Sequence, residues 1–202
     1  MRGLILGVTL ATSALVVGGC GSVDGSAPPP PAAVTGPWQP GPFEPLDHSL
    51  AAAAEARCRE RTPQAIDLPV VLHDQRGDGV DTVLFAGPTG RASCQVAGDE
   101  SGRYTWLAGS ATTDPVTPDP TADDITVDGM GSTSGSDTGT VSDISGRTGT
   151  AIATLRIQLD DGREVVATTS NGWFYAWWPG ESVAITLLGD DATGRQVASS
   201  KP

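Results

Sequence analysis

The sequence is poor in the side chains that carry out most protein chemistry. Its 202 residues include two histidines, three cysteines and one lysine, so catalysis through these groups has few candidates. The 12 basic residues are outnumbered by 24 acidic ones, giving a formal charge of −12. This balance argues against nucleic acid as a partner, because no basic surface is available to displace counterions from phosphates. The hydrophobic content of 38% is nevertheless too high for a chain that is disordered throughout.

Long apolar runs are also scarce. One such run occupies residues 3–17, directly after Arg2. Its length suits the apolar region of a signal peptide and falls short of the roughly 20 residues that a membrane-spanning helix needs. No other segment approaches that length, so we expect the remainder of the chain to lie outside the membrane.

The apolar run is followed by a short motif that contains a cysteine. Residues 17–20 (VGGC) resemble the lipobox of bacterial lipoproteins. The resemblance implies that residues 1–19 are a removable signal peptide and that Cys20 carries a diacylglycerol, with a further fatty acid such as palmitate on its amine. It also implies attachment to the extracytoplasmic face of the cell membrane. The alternative is an ordinary secretory signal cut near Gly19, which would leave Cys20 unmodified.

The next segment has the composition of a linker. With the lipidated Cys20 it spans residues 20–45, and eight prolines fall within residues 28–45. Such chains favour extended polyproline II conformations. Trp38 and Phe43 could form a recognition motif, but we expect them to dock onto the domain or to have no role.

The rest of the mature chain is expected to form a β-rich ectodomain over residues 46–200, with a possible division into 46–110 and 123–200. Asp47 or Ser49 can cap a helix that ends before Pro63. An i, i+4, i+8 spacing predicts a buried stripe on this helix: Leu50, Ala54 and Cys58.

Short apolar segments separated by turn residues predict antiparallel strands after this helix. The predicted fold class is therefore mainly β with one N-terminal helix (α+β), and its last five strands are expected to form an antiparallel meander or half-sandwich. We expect a mobile loop at residues 129–140, which are rich in Gly, Ser and Thr. The predicted strands lie at residues 68–72, 80–86, 92–96, 103–108, 154–159, 165–167, 173–178, 183–187 and 196–198.

Two cysteines remain once Cys20 is set aside. In an exported chain, Cys58 and Cys94 most simply form a disulfide, which would tie the helix to the third strand. A redox-active or metal-binding pair is the alternative, but it needs CxxC spacing or nearby histidine ligands, and the sequence has neither. We therefore expect no metal and no cofactor.

The most unusual segment is the aromatic run at residues 173–178 (WFYAWW). On a strand it places large rings on both faces. One interpretation is a platform for stacking on sugars, with ligand-binding rings at Trp173, Tyr175, Trp177 and Trp178. The other is that these rings fill the core, which otherwise has few large apolar side chains. We favour the core.

Polar motifs in the chain give little support for catalysis. Residues 76–78 (RGD) are interpreted as a hairpin turn rather than an integrin-binding tripeptide, and the seven aspartates between Asp114 and Asp143 as a solvated acidic loop. His73 is the one plausible general base in the folded part, and no nucleophile motif accompanies it. We therefore predict no catalytic residues.

The segment around the aromatic run also resembles exported proteins of high-G+C bacteria. Their shared pattern is a helix cysteine, an RGD hairpin, a strand cysteine and a GWF-x-AWWPG segment, which implies the same architecture but no particular activity. We therefore expect a lipid-anchored envelope protein, without enzymatic activity, that acts as a binding or structural module. Its possible partner is a cell-wall glycan or an envelope protein. The alternatives are a hydrolase acting on envelope components and an accessory subunit of a membrane complex.

Overall fold

The structure is a computed structural model, and it describes residues 38–41, 48–77, 80–98, 103–113, 118–135 and 139–202. The predicted signal peptide, Cys20 and Phe43 lie outside these ranges. The described chain is mainly β and contains one α-helix, α1 (His48–Arg61), followed by a short 3₁₀ helix (Pro63–Ala65). Its strands are β1 (Val70–Gly77), β2 (Val80–Gly87), β3 (Gly90–Gly98), β4 (Tyr104–Thr112), β5 (Ile125–Gly135), β6 (Gly139–Thr148), β7 (Thr154–Leu159), β8 (Glu164–Val166), β9 (Thr168–Ser170), β10 (Trp173–Pro179), β11 (Ala184–Asp190) and β12 (Gln196–Ser200).

The strands form three antiparallel four-stranded sheets. Sheet I has the order β1-β2-β3-β4, which is a simple meander of successive hairpins. Sheet II has the order β5-β6-β10-β9, and sheet III has the order β12-β11-β7-β8. One face of sheet I packs against α1, and its other face packs against sheet II. Sheet II also packs against sheet III, so it is the middle layer.

The aromatic strand β10 explains why sheet II is in the middle. Alternation along a strand sends successive side chains to opposite faces. Phe174 and Trp178 enter the core shared with sheet III, whereas Tyr175 and Trp177 enter the core shared with sheet I. A strand with large rings on both faces is stable only where both faces are covered, and the middle layer provides that environment.

The predicted disulfide is present. Cys58 of α1 is bonded to Cys94 of β3 across 36 positions of sequence, and both residues are fully buried. The predicted helix stripe is found as well: Ala54 is fully buried beside Cys58, and Leu50 is half-buried. The covalent bond therefore fixes α1 to the outer face of sheet I.

The expectation of a mobile loop at residues 129–140 is wrong. These residues belong mostly to the β5–β6 hairpin, in which Gly131 pairs with Asp143 and Gly135 pairs with Gly139. Glycine and serine are weak strand formers, and composition alone indicated a loop. The pairing with β6, which contributes the buried Ile144, decides the conformation instead.

The expectation that the last five strands form one meander also needs correction. These strands are divided between two sheets, because the chain leaves sheet III after β8 and enters sheet II at β9. Ala167 stands between the two strands and is buried. The Asn171-Gly172 turn then reverses the chain into β10, with φ angles of 51° and 77° at these two residues.

Residues 38–41 belong to the predicted linker but are docked onto the sheets. The indole nitrogen of Trp38 donates to the carbonyl of Trp177 at 3.2 Å, and the amide of Gln39 donates to the carbonyl of Arg76 at 3.0 Å. The carbonyl of Pro40 accepts from the amide of Val166 at 2.7 Å. This segment therefore bonds to all three sheets, and docking is the correct interpretation of Trp38.

No helix in the described part of the chain is long and apolar enough to span a membrane.

Candidate binding cleft

Sheets I and II pack closely along β1 and β10 but leave a cleft between β3 and β4 on one side and β5 and β6 on the other. The cleft encloses about 320 Å³. Its lining combines serine and threonine hydroxyls with one arginine, one aspartate and a few small apolar groups. The residues that line it are Leu84, Arg91, Ala92, Ser93, Ser110, Ala111, Thr112, Gly129, Met130, Gly131, Ser132, Thr133, Asp143, Ser145 and Tyr175.

The wall formed by sheet I follows from strand alternation. On β3, the even-numbered Ala92 and Cys94 face α1, so Arg91 and Ser93 face the cleft. Ser93 is paired across the strands with Ser110 of β4, and their hydroxyl oxygens lie 2.8 Å apart. Because a hydroxyl both donates and accepts, this pair can present either function to a ligand.

The wall formed by sheet II has room because two of its positions are glycines. Gly129 is opposite Ser145 and Gly131 is opposite Asp143 in the β5–β6 pairing. A β-carbon at residue 131 would lie 3.1 Å from the Oδ1 atom of Asp143, and one at residue 129 would lie 3.2 Å from a guanidinium nitrogen of Arg91. Side chains at these positions would therefore press on the two charged groups of the cleft.

Asp143 is the carboxylate of the cleft. Burial raises its pKa, and this effect exceeds the opposing effects of hydrogen bonds from the Tyr175 hydroxyl and the Gly131 amide. The Tyr175 hydroxyl donates to Oδ2 of Asp143 at 3.3 Å. Burial, reinforced by the charges of Asp143 and Asp74, also raises the pKa of Tyr175 far above its usual value. Tyr175 is therefore a neutral donor at neutral pH, and it holds one oxygen of the carboxylate in place.

Arg91 is the cationic group of the cleft. Its guanidinium donates to the backbone carbonyl of Asp128 and lies 3.9 Å from that residue's carboxylate. Asp128 therefore compensates the charge of Arg91, so the cleft offers no free cationic group that would select an anion.

A second cavity, of about 280 Å³, lies beside the same part of β5 and β6. It shares four residues with the cleft: Met130, Gly131, Ser132 and Asp143. Its other lining residues belong mainly to the turn between β10 and β11, and they include Trp178 and the half-exposed Val183. The glycine-rich part of β5 thus has open space next to it in two places.

His73, the predicted candidate for a general base, lies outside the cleft, between sheet I and α1. Its Nδ1 is 2.8 Å from Oδ2 of Asp81, and its Nε2 is 3.2 Å from Oε1 of Glu55. Burial of the ring opposes protonation, but the hydrogen bonds and charges of Asp81 and Glu55 outweigh it and raise the pKa of His73. Both ring nitrogens are bonded to carboxylates, so this histidine joins α1 to β2.

Most rings of the aromatic run are buried. Tyr175, Trp177 and Trp178 are each no more than 2% exposed, and of these three only Tyr175 lines the cleft. Trp173 is half-buried, and the guanidinium of Arg147 lies 4.8 Å from the centre of its ring. The core interpretation of this run is therefore the one that the structure supports.

Of the RGD segment, the structure describes Arg76 and Gly77, and Asp78 lies outside the described residues. Arg76 is fully buried, and its Nε donates to Oδ2 of Asp74 at 2.8 Å. Within the described ranges, no group of three or more His, Cys, Asp or Glu side chains is placed to hold a metal ion.

Sequence reasoning missed the cleft and its central acid. Asp143 was assigned to a solvated acidic loop, whereas it lies on β6 and points into the cleft. A signal was present, because residues 141–148 alternate, with Ser142 and Ile144 buried on the face opposite to Asp143. The small, polar composition of the preceding residues hid this alternation. Comparisons of the chain with family models, with curated proteins and with solved structures found no match.

Proposed function

We propose that this protein is a lipid-anchored envelope protein whose ectodomain binds a ligand in the cleft between sheets I and II. The observation that carries the binding role is the cleft itself, a cavity of about 320 Å³ lined by convergent polar groups. Concave sites of this size with a few convergent polar groups are where proteins commonly bind small ligands.

The anchoring role is supported by residues 17–20 (VGGC) and by the disulfide. Structural disulfides are typical of proteins exported to oxidising compartments. A Cys20 with two or more acyl chains would hold the protein stably in a membrane, since a single chain gives only reversible attachment.

The proposed role is non-catalytic. Both ring nitrogens of His73 are bonded to carboxylates, and the acid of the cleft, Asp143, is held by a tyrosine rather than placed beside a second reacting group. This arrangement suits the orientation of a bound molecule better than proton transfer to it.

The lipid anchor is tested by replacing the sulfur of Cys20 with an oxygen. Cys20→Ser should abolish labelling with an alkyne analogue of palmitate and should release the protein from washed membranes. Retention of the Cys20→Ser protein on membranes, with or without label, would contradict a lipid anchor at this residue.

Binding is tested inside cells with a photo-crosslinking amino acid in place of Thr133, an exposed residue of β5 that lines the cleft. The matched control carries the same amino acid in place of Ser199, which is exposed on β12 in sheet III. We expect an adduct, to a glycan or to a protein, from the position 133 variant alone. The same adducts from both positions, or none from either, would overturn the binding role.

A further inference from the structure

The ligand class can be narrowed from the groups that line the cleft. Seven residues that line the cavity carry hydroxyl groups, and the hydroxyl of Tyr175 is bonded to Asp143: Ser93, Ser110, Thr112, Ser132, Thr133, Ser145 and Tyr175. A hydroxyl-rich lining can satisfy a ligand whose own polar groups both donate and accept hydrogen bonds. Sugars are ligands of this kind.

The charges of the cleft favour an uncharged ligand. Asp143 would repel an anion, and Arg91, already compensated by Asp128, would not attract one. A cation would find one buried carboxylate and no further acidic lining residue. By contrast, a carboxylate can accept from two neighbouring hydroxyls of a sugar, and such charge-assisted hydrogen bonds are the stronger kind.

An extended peptide is the main competitor. The strand β5 is at the edge of sheet II and β4 is at the edge of sheet I, so a peptide could add to either sheet. Recognition of that kind gains its specificity from pockets for alternate side chains. The cleft offers instead two opposed walls that carry hydroxyl groups, and the glycines at residues 129 and 131 present no side chains to a bound peptide.

We propose that the cleft binds a neutral saccharide segment of a cell-wall polysaccharide. In this arrangement Asp143 accepts hydrogen bonds from sugar hydroxyls, and the pair Ser93 and Ser110 completes the contacts from the opposite wall. This inference rests on the proposed function, because it names the ligand class of the same cleft.

The test uses full-length protein, purified from membranes in mild detergent, and protein-free cell walls from the same cells. We expect wild-type protein to sediment with the walls saturably. A muralytic glycosidase should release it, and raising the salt from about 0.05 to about 0.5 M should leave its affinity nearly unchanged, because a neutral ligand is not screened.

Variants assign the binding to the cleft. Asp143→Ala should weaken wall binding by about tenfold to a hundredfold, as expected for the loss of charged hydrogen bonds. Ser110→Trp should abolish binding by filling the cavity. The controls are Glu60→Ala, which removes the same charge from an exposed site on α1, and Ser199→Trp. Thermal unfolding shows that each variant is folded, and binding by both controls should equal that of wild type.

Three results would overturn the inference. They are no sedimentation above that of an unrelated acidic protein, binding that salt weakens steeply, and binding that survives Ser110→Trp in a folded protein. A protein adduct from the crosslinker at position 133, without wall binding, would leave the proposed binding role intact and reject the saccharide. Absence of both adduct and wall binding would reject the two proposals together.

Discussion

The two outer parts of the molecule are stabilised by different interactions. In the first region, α1 and sheet I enclose a core of small residues, with Phe85 as its one buried aromatic side chain. In the second region, sheets II and III enclose a larger core of isoleucines and leucines with Phe174 and Trp178. The first region contains the disulfide and the buried Asp81, whose carboxylate bonds to His73. The buried pair of Asp74 and Arg76 lies on the other face of sheet I, against sheet II. The first region therefore relies on a covalent bond and a charge pair where the second region relies on apolar packing.

This difference between the two regions explains how a chain with 5% aromatic residues forms three packed sheets. Apolar burial contributes about 25 cal/mol per Å², so a core of alanines and valines stabilises less than one built on large rings. A disulfide acts mainly on the unfolded state, and it does so regardless of the size of the side chains around it. Substitutions that remove one kind of stabilising interaction at a time should separate the two regions, and the loss of apolar packing should lower stability most.

Trp178→Ala should have the largest effect, because it breaks the second region. The ring is buried, and its indole nitrogen donates to the carbonyl of Ser182 at 2.8 Å. Loss of the ring should lower the free energy of unfolding by about 5 kcal/mol, measured by urea denaturation. Val183→Ala, which truncates an exposed neighbour, is the control and should change stability little. A Trp178→Ala protein as stable as this control would show that the second region does not depend on apolar packing.

Removal of the disulfide should break the first region. The double variant Cys58→Ala, Cys94→Ala opens a link that spans 36 positions, which corresponds to about 4 kcal/mol in the chain-entropy account. Thermal unfolding of the wild type with reductant should show the same loss, whereas reductant should not affect the double variant. If reductant leaves wild-type stability unchanged, the covalent bond is not what compensates for the small core.

The buried ion pair between sheets I and II, at the boundary of the two regions, should respond differently to single and double substitution. Arg76→Met leaves the carboxylate of Asp74 buried without its cation, which should cost about 3 kcal/mol in a urea titration. Burial raises the pKa of Asp74, even though Arg76 and Thr168 oppose this. Asp74→Asn combined with Arg76→Met removes both charges and should recover part of the loss. A double variant less stable than Arg76→Met would reject this explanation.

The hydrogen bonds of His73 to Glu55 of α1 and Asp81 of β2 should make the stability of the first region depend on pH. Because the folded pKa of His73 is raised, its protonated form stabilises the fold. This stabilisation is fully present below about pH 6.5 and is lost as the pH rises through the folded pKa. His73→Gln should flatten that part of the stability profile, by about 1 kcal/mol or less. His48→Gln, at an exposed position on α1, should keep the wild-type profile, and equal profiles for all three proteins would contradict the assignment.

The smallest effect on stability should come from substitution of Asp143, in the cleft between the two regions. Burial raises the pKa of Asp143, so the folded state holds this proton more tightly than the unfolded state does. Its contribution is present below about pH 4 and is lost as the pH rises through the folded pKa. Asp143→Asn should therefore raise the melting temperature slightly at pH 7, while Asp143→Ala weakens binding. A lower melting temperature for Asp143→Asn at every pH would show that this acid is a structural group.

Local features of the fold could be predicted from the sequence, because they depend on neighbours in the chain. The helix stripe and the turn at residues 171–172 follow from spacing and from backbone preference. The pairing of Cys58 with Cys94 spans 36 positions, and it could be predicted because only two cysteines remain once Cys20 is set aside. The burial of the aromatic run was the favoured interpretation because few other side chains could fill the core.

The arrangement of strands into sheets could not be predicted in the same way. Strand alternation shows which residues share a face, but not which other strand covers that face. The partners of His73 are 8 and 18 positions away in sequence, and the acid of the cleft meets Tyr175 across 32 positions. Contacts at such separations depend on the order of strands. The glycines at residues 129 and 131 favour a loop by composition, and only their pairing with β6 makes them part of a strand.

The docking of residues 38–41 has a mechanical consequence for an anchored protein. If the chain is attached to lipid at Cys20, the first described contact of the folded part lies 18 positions further along the chain, at Trp38. Tension on the anchor would reach the folded part at Trp38. It would act on the hydrogen bonds that Trp38, Gln39 and Pro40 make to the sheets before it acts on any strand. In such an anchored protein, shear or swelling of the envelope would act first where residues 38–41 are hydrogen-bonded to the three sheets.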